Sequence, residues 1–360
     1  MSARPNAFEF LSPALLALCI AGCQSLPTEP SVSAFPDPLA PRLPPAETRH
    51  FDAVAPRDDV VGTPQVLFTR YEDTFSAIAR EYNVGYEALR NANPGVDHWL
   101  PGEDTAVYLP TQLVLPATPH EGIVLNVATM RLFYFTEHDA VRRVTTHPIG
   151  IGRTGWATPT GTATVTSKAR DPVWYVPASI RQEHAELGDP LPAVVPPGPD
   201  NPLGSFALAL SMPGYLIHGT NKPSGVGMRI SHGCVRLYPE DVEALFERVE
   251  VGTPVHIVDQ PVLAGWHGGQ LFLEVHQPLE EDERDLAAEA ERAIAAAMAR
   301  VDVQYRIVDR ERVQRVVEER RGMPFPVLIP GPSPGLYLAS ARIIENTTPL
   351  PESAAAARAD

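Results

Sequence analysis

Cysteine is scarce in this sequence: three in 360 residues, at positions 19, 23 and 234. The last stands alone in "GVGMRISHGCVRLYPEDVEALF", residues 225–246, just ahead of a helical pattern. Positive charge is short as well. Lys and Arg number 29 against 44 Asp and Glu, a formal net charge of −15. That balance argues against nucleic acid or anionic lipid headgroups as partners, because both reward positive patches. Beyond the N-terminus no apolar stretch is long enough to span a bilayer. Proline, by contrast, is abundant, with 39 residues, and it crowds positions 27–64.

Residues 1–23 read MSARPNAFEFLSPALLALCIAGC. A thin positive start at Arg4, a mostly apolar run over 10–21 and small residues after it are the layout of an export signal. Glu9 and Pro13 make it an imperfect one. Ile20-Ala21-Gly22-Cys23 resembles a bacterial lipobox. That resemblance implies cleavage after residue 22 and a diacylglycerol on the Cys23 thiol. The residues alone also allow an ordinary signal cleaved near Ala21. Gln24, where an Asp would mark inner-membrane retention, favours the outer membrane of a Gram-negative bacterium and a periplasmic location. Cys19 then leaves with the signal and Cys23 is lipidated, so Cys234 is the only thiol of the mature chain. An unpaired cysteine outside the cytosol is a candidate reactive thiol. A buried, inert cysteine is the alternative.

The expected organisation has five parts. The signal covers 1–22 and a proline-rich tether covers 23–64, reaching at most on the order of 100 Å. In 65–116, Asp73 or Thr74 can cap a helix. Phe75, Ile78, Ala79 and Tyr82 then follow at helical spacing. A second short helix carries Leu89 inward, Asn93-Pro94-Gly95 is a turn, and 106–109 closes as a strand. This segment resembles a LysM domain in its Glu-Asp-Thr-Phe entry, Ile-Ala-x-x-Tyr helix, Ala-Asn-Pro turn and terminal Leu-Pro. The resemblance implies binding of glycans containing N-acetylglucosamine. From residue 120 to 260 the pattern is mainly β: the hairpin "GIVLNVATMRLFYF", strands in "RRVTTHPIGIG", "GTATVTSKAR" and "FALALSMPGYLIHGT", and "TPVHIVD" as the last strand. A long proline-rich loop at 177–204 is expected to form one wall of a site. A helix over 239–249 starts with Pro239 and ends before Gly252. Residues 261–360 form an extension, partly helical over 280–300 and 309–321, partly disordered, with no function legible in it.

Chemistry gathers in "IHGTNKPSGVGMRISHGCVRL". A thiol becomes a useful nucleophile as a thiolate, and a nearby imidazole is the usual activator. His218 ends an apolar strand. His232 lies two residues before Cys234 and Arg236 two after it, so an extended backbone puts all three on one face. A base imidazole needs its other nitrogen oriented by an acceptor, and the Gly219 carbonyl is available. The N–H groups of Gly233 and Cys234 are candidate oxyanion donors. Gly233 lets a carbonyl approach closely. One Cys and two His also suit a metal by ligand type, but the spacing matches no common zinc pattern.

The run His218-Gly219-Thr220 through Ser231-His232-Gly233-Cys234-Val235-Arg236-Leu237 resembles the signature of the L,D-transpeptidases with a YkuD-type catalytic domain. With the LysM-like segment before it and "VEVHQPL" after it, the chain resembles the enterobacterial periplasmic members. The resemblance implies a β-sandwich-like catalytic domain with few helices and needs no cofactor or metal. It makes Cys234 the nucleophile, His218 the general base, Gly219 the orienting carbonyl, and His232 and Gly233 the residues flanking the thiol. Arg236 matches a basic position suited to a substrate carboxylate, with Ser231 and Thr220 beside it. The expected partners are peptidoglycan stem peptides and glycan strands, a small outer-membrane lipoprotein as an acceptor, and the membrane through the lipid. The expected reaction passes the acyl group of a stem tetrapeptide through a thioester to an amine, forming 3→3 cross-links or attaching that lipoprotein. A hydrolase on the same scaffold and a non-catalytic wall anchor are the alternatives.

Overall fold

The computed structural model describes residues 36–51, 58–138, 141–301 and 306–350. The expected signal, Cys23 with its lipid, the first part of the tether, and the last ten residues lie outside these. The fold is mainly β. Nine strands join in one hydrogen-bonded sheet, in the order His50–Phe51, Val141–Pro148, Arg131–His138, Gly122–Asn126, Pro254–Val258, Gly161–Arg170, Phe206–Leu210, Leu216–His218 and Val235–Arg236.

The alternation read in "GIVLNVATMRLFYF" explains how both faces of this sheet are covered. Ile123, Leu125, Leu132 and Tyr134 enter one core, with Ile217, Val235, Val242 and Leu245. Val124, Phe133 and Phe135 enter a second core on the other face, with Val61, Leu113, Leu115 and Val144. Period-two alternation with apolar residues on both parities is the mark of a strand buried on both sides. The helix Pro239–Arg248 lays Val242 and Leu245 on the first core and holds Glu240 and Asp241 in its first turn. Two carboxylates there suit the helix dipole.

The proline-rich stretch joins the folded body before residue 64. Leu43 bridges Ile344, and His50–Phe51 pairs with the strand Val141–Pro148. Val60–Val61, buried, pairs with Leu113–Val114. Val60 and Val61 are buried there, while Leu39 stays exposed.

Residues 65–109 form strand, helix, helix, strand: Gln65–Phe68, Phe75–Glu81, Tyr86–Ala92 and Ala106–Leu109. Thr74 caps the first helix, accepting from the Ala77 N–H at 3.3 Å. Asp73 instead accepts the Arg70 N–H and pairs with its guanidinium. Phe75, Ile78, Ala79, Tyr82 and Leu89 are buried, as their spacing predicts. Gly227, eight residues before Val235, meets Gly85 at the start of the second helix. A Cβ on Gly227 would lie 2.4 Å from the Gly85 Cα, and the Glu87 N–H donates to the Gly227 carbonyl at 3.2 Å.

The extension after residue 260 is folded over its described residues. Val262–His267, Gln270–Val275 and Pro324–Pro326 form a sheet. Helices Leu286–Met298 and Arg310–Glu319 pack on it, each capped by the preceding aspartate. Their core also contains Val66, Ala92 and Tyr108 from the small N-terminal segment. The strand Arg342–Ile343 adds itself in parallel to Gln65–Phe68. Within 177–204, read as loop, the helix Ala178–Glu186 forms. It buries only Ile180, so no apolar periodicity announces it.

Candidate functional site

From Ile230 to Leu237 burial alternates without a break: Ser231, Gly233, Val235 and Leu237 are buried, while Ile230, His232, Cys234 and Arg236 are partly or fully exposed. The strand Val235–Arg236 lies parallel to Leu216–His218, with Ile217 opposite Val235 and His218 opposite Arg236. Ile217 and Val235 share the core. His218, Arg236 and Cys234 therefore face the other way, together. Cys234 and Arg236 keep one parity and sheet pairing adds His218 to them, whereas the extended run expected to include His232 is interrupted at Gly233, with φ +104°.

His218 is 3% exposed, and its Nδ1 donates to the Gly219 carbonyl at 2.6 Å. That bond leaves Nε2 as the base nitrogen. Burial pushes the imidazole pKa down to about 4, and the Arg236 charge adds to this, against the raising effect of the Gly219 and Leu203 carbonyls. Burial likewise pushes the Cys234 thiol up, partly countered by the Leu216 N–H and by Arg236. Both shifts favour the neutral form of each group. The Cys234 Sγ lies 3.6 Å from the Gly214 carbonyl.

Gly233 has φ +104°, which an L side chain rarely adopts, and a Cβ there would meet the Tyr215 ring at 3.0 Å. Its carbonyl accepts from Thr158 Oγ1 at 2.9 Å, and that oxygen accepts the Gly152 N–H at 3.0 Å. Ser231 Oγ donates to the Cys234 carbonyl at 2.6 Å and accepts the Gly233 N–H at 3.2 Å. Ser231 thus shapes the turn before the thiol, and the Gly233 N–H expected as an oxyanion donor is already engaged. Thr220 is buried and accepts the Lys222 N–H at 2.9 Å, which also makes it a turn former. Gly204 passes so close to the Gly219–Thr220 backbone that a Cβ would lie 2.7 Å from the Thr220 N.

Arg236 is partly buried, its Nε has no hydrogen-bond partner, and no carboxylate pairs with it among the described residues. An uncompensated cation in a cleft is costly unless an anion joins it. His232 has the partners that Arg236 lacks. Its Nε2 lies 2.9 Å from Glu183 Oε2, on the helix Ala178–Glu186. Arg153 pairs with the other oxygen of that carboxylate, and Trp156 meets the His232 ring edge-on at 4.9 Å between centroids. Sequence reasoning missed Glu183, Arg153, Trp156 and Thr158. In sequence, Trp156-Ala157-Thr158-Pro159 marks no more than a break between two strands, and nothing local marks Glu183.

Comparison with known proteins bears on this arrangement. Residues 120–257 match the family model of the L,D-transpeptidase catalytic domain, and residues 267–327 that of the L,D-transpeptidase C-terminal domain. The chain is 40% identical to the Probable L,D-transpeptidase ErfK/SrfK of Salmonella typhimurium, over 77% of this chain and 90% of that protein. It is 40% identical to the Probable L,D-transpeptidase YbiS of Escherichia coli, over 74% and 87%. To the Probable L,D-transpeptidase YcfS of Escherichia coli it is 42% identical, over 71% and 80%.

Proposed function

The chain belongs to the L,D-transpeptidase family, and on that footing we propose that Cys234 carries the acyl group of a peptidoglycan stem peptide from donor to acceptor. The thiol of Cys234 gives its proton to His218 Nε2 as Sγ attacks the carbonyl between the third residue of a tetrapeptide and its terminal D-alanine. D-Alanine leaves with that proton, and a thioester remains. An amine then attacks, forms the amide and frees the thiol. The Gly219 carbonyl holds the imidazole tautomer through both halves, in the place where a serine protease uses a carboxylate. Arg236 receives a carboxylate of the donor. The observation that carries this proposal is the single face bearing Cys234, His218 and a guanidinium with no anion of its own among the described residues. Incubation with purified muropeptides and mass spectrometry tests it. Donor disappearance with a thioester on Cys234, and dimers or lipoprotein adducts after it, is expected. A Cys234→Ser protein with full cross-linking would sink it. Shortened monomers alone would indicate hydrolysis.

The finer parts of the proposal concern acceptors, glycans and place. The acceptor is a side-chain amine of a second stem or the terminal lysine of a small outer-membrane lipoprotein. The LysM-like segment holds glycan strands. Tyr71 and Trp99 support this, being 73% and 64% exposed on neighbouring loops, which the Phe75 N–H to His98 carbonyl bond ties together. The protein works in the periplasm, held to the outer membrane by a lipid on Cys23. No helix among the described residues is long and apolar enough to cross a membrane. Cys23→Ser is expected to move the protein to the soluble fraction and to abolish labelling with a fatty-acid probe. An unlabelled, soluble wild type would contradict the anchor.

A further inference from the structure

The polar cluster around His232 has no part in the chemistry just described, and its geometry is selective. The His232 Nε2 sits between two groups that want opposite things from it. Glu183 Oε2, at 2.9 Å, can only accept a proton. Arg153 Nη2, at 3.3 Å, can only donate one. A neutral imidazole carries its proton on one nitrogen, so the two bonds cannot coexist. The carboxylate is nearer, and Arg153 satisfies itself on the other oxygen of Glu183. Nε2 therefore carries the proton, and Nδ1 is left with a free lone pair. His232 lies two residues before Cys234, across the turn at Gly233, and both side chains are partly exposed.

We propose that Glu183 is a positioning residue for the second half of the transfer, acting through His232 to present a hydrogen-bond acceptor to the incoming amine. This rests on the thioester route above. An attacking amine spends its one lone pair on the acyl carbon. The amide C–N bond forms, the C–S bond breaks, and its electron pair returns to Sγ. The proton shed by nitrogen ends on that sulfur, carried by His218. During the attack the amine can only donate hydrogen bonds to its surroundings. Water has a second lone pair, so it can attack while accepting a bond. A lone pair on His232 Nδ1 can accept from an amine or from water, whereas an N–H there can be satisfied by water's second lone pair and not by an attacking amine. Losing Glu183 would let Arg153 donate to a bare Nε2 and move the proton to Nδ1, which penalises the amine and not water.

The helix bearing Glu183 buries only Ile180. Its link to the site is thus largely the charged contact with Arg153 and His232. The groups facing the His232 ring are Glu183 and His184 from that helix, and Arg153 and Trp156 from the turn at 153–156.

The test uses the full chain at about pH 8, where an imidazole is neutral. A muropeptide donor and a second muropeptide acceptor are supplied, and mass spectrometry gives the ratio of dimer to hydrolysed monomer. Nitrogen-15 correlation spectra of the His232 ring report which nitrogen is protonated. Glu183→Ala is expected to lower the ratio roughly tenfold, the worth of one charge-assisted bond, and to move the proton to Nδ1. Glu183→Gln keeps an accepting oxygen and is expected to restore most of the ratio. Arg153→Ala is expected to keep the proton on Nε2. An unchanged ratio in Glu183→Ala, a proton that stays on Nε2 there, or one that moves in Arg153→Ala would overturn the proposal. A wild type that forms no thioester with the donor would instead overturn the reaction on which it rests.

Discussion

His218 takes its orientation from a backbone carbonyl, and its burial sets how the site answers pH. The imidazole pKa, pushed down to about 4, means the base is neutral and competent far below the usual histidine range. An ordinary imidazole would be half protonated near pH 6.5 and lose its basic function there. Acylation of Cys234 by a carbapenem is therefore expected to stay level from about pH 7 down to about pH 5. Rates measured across that range check it, and a half-fall near pH 6.5 would contradict it. Arg236→Ala is expected to reduce kcat/KM for the tetrapeptide roughly 10- to 100-fold, mostly through KM, since one charged hydrogen bond is worth about 1.5–3 kcal/mol. Steady-state kinetics on wild type and variant settle it. These residues were legible because they sit close together in sequence, and the expected Gly219 carbonyl is the partner found. Glu183 was not legible. It is 49 residues from His232 on a helix with one buried side chain, so neither spacing nor periodicity marks it.

Among the elements, the contact between the small N-terminal segment and the catalytic loop rests on two glycines. Gly227 has φ +79°, and a Cβ there would lie 2.4 Å from both the Gly85 Cα and the Tyr86 N. Both obstacles are backbone and cannot swing aside. Gly227→Ala is expected to cost about 2–4 kcal/mol, from left-handed strain and steric displacement together. Gly85→Ala, with its Cβ 3.2 Å from the Gly227 Cα, is expected to cost less. Thermal melts of both variants against wild type measure the difference. The strands and helices on either side of this contact were readable from alternation and caps. The contact itself was not, because a glycine marks where a chain bends but not what comes near it.

At the scale of the whole molecule, the extension after residue 260 looked functionless in sequence, yet it supplies the third strand of the small segment and shares its core. Charge-rich, alanine-rich helices show a capped pattern but not the surface they cover. Truncation before residue 286 would expose Val66 and Tyr108 to water. It is expected to lower the melting temperature and to weaken sedimentation with insoluble peptidoglycan. A truncated chain that melts and sediments like wild type would contradict this.

The parallel pairing of Arg342–Ile343 with Gln65–Val66 also has a temporal side. A ribosome delivers residue 65 long before residue 342, so the small sheet lacks an edge strand until almost the whole chain has emerged. Closing so long a loop is entropically slow. The polypeptide is thereby kept from completing its fold while it is being made. That delay suits the export proposed above, because the chain stays threadable until its last segment is available.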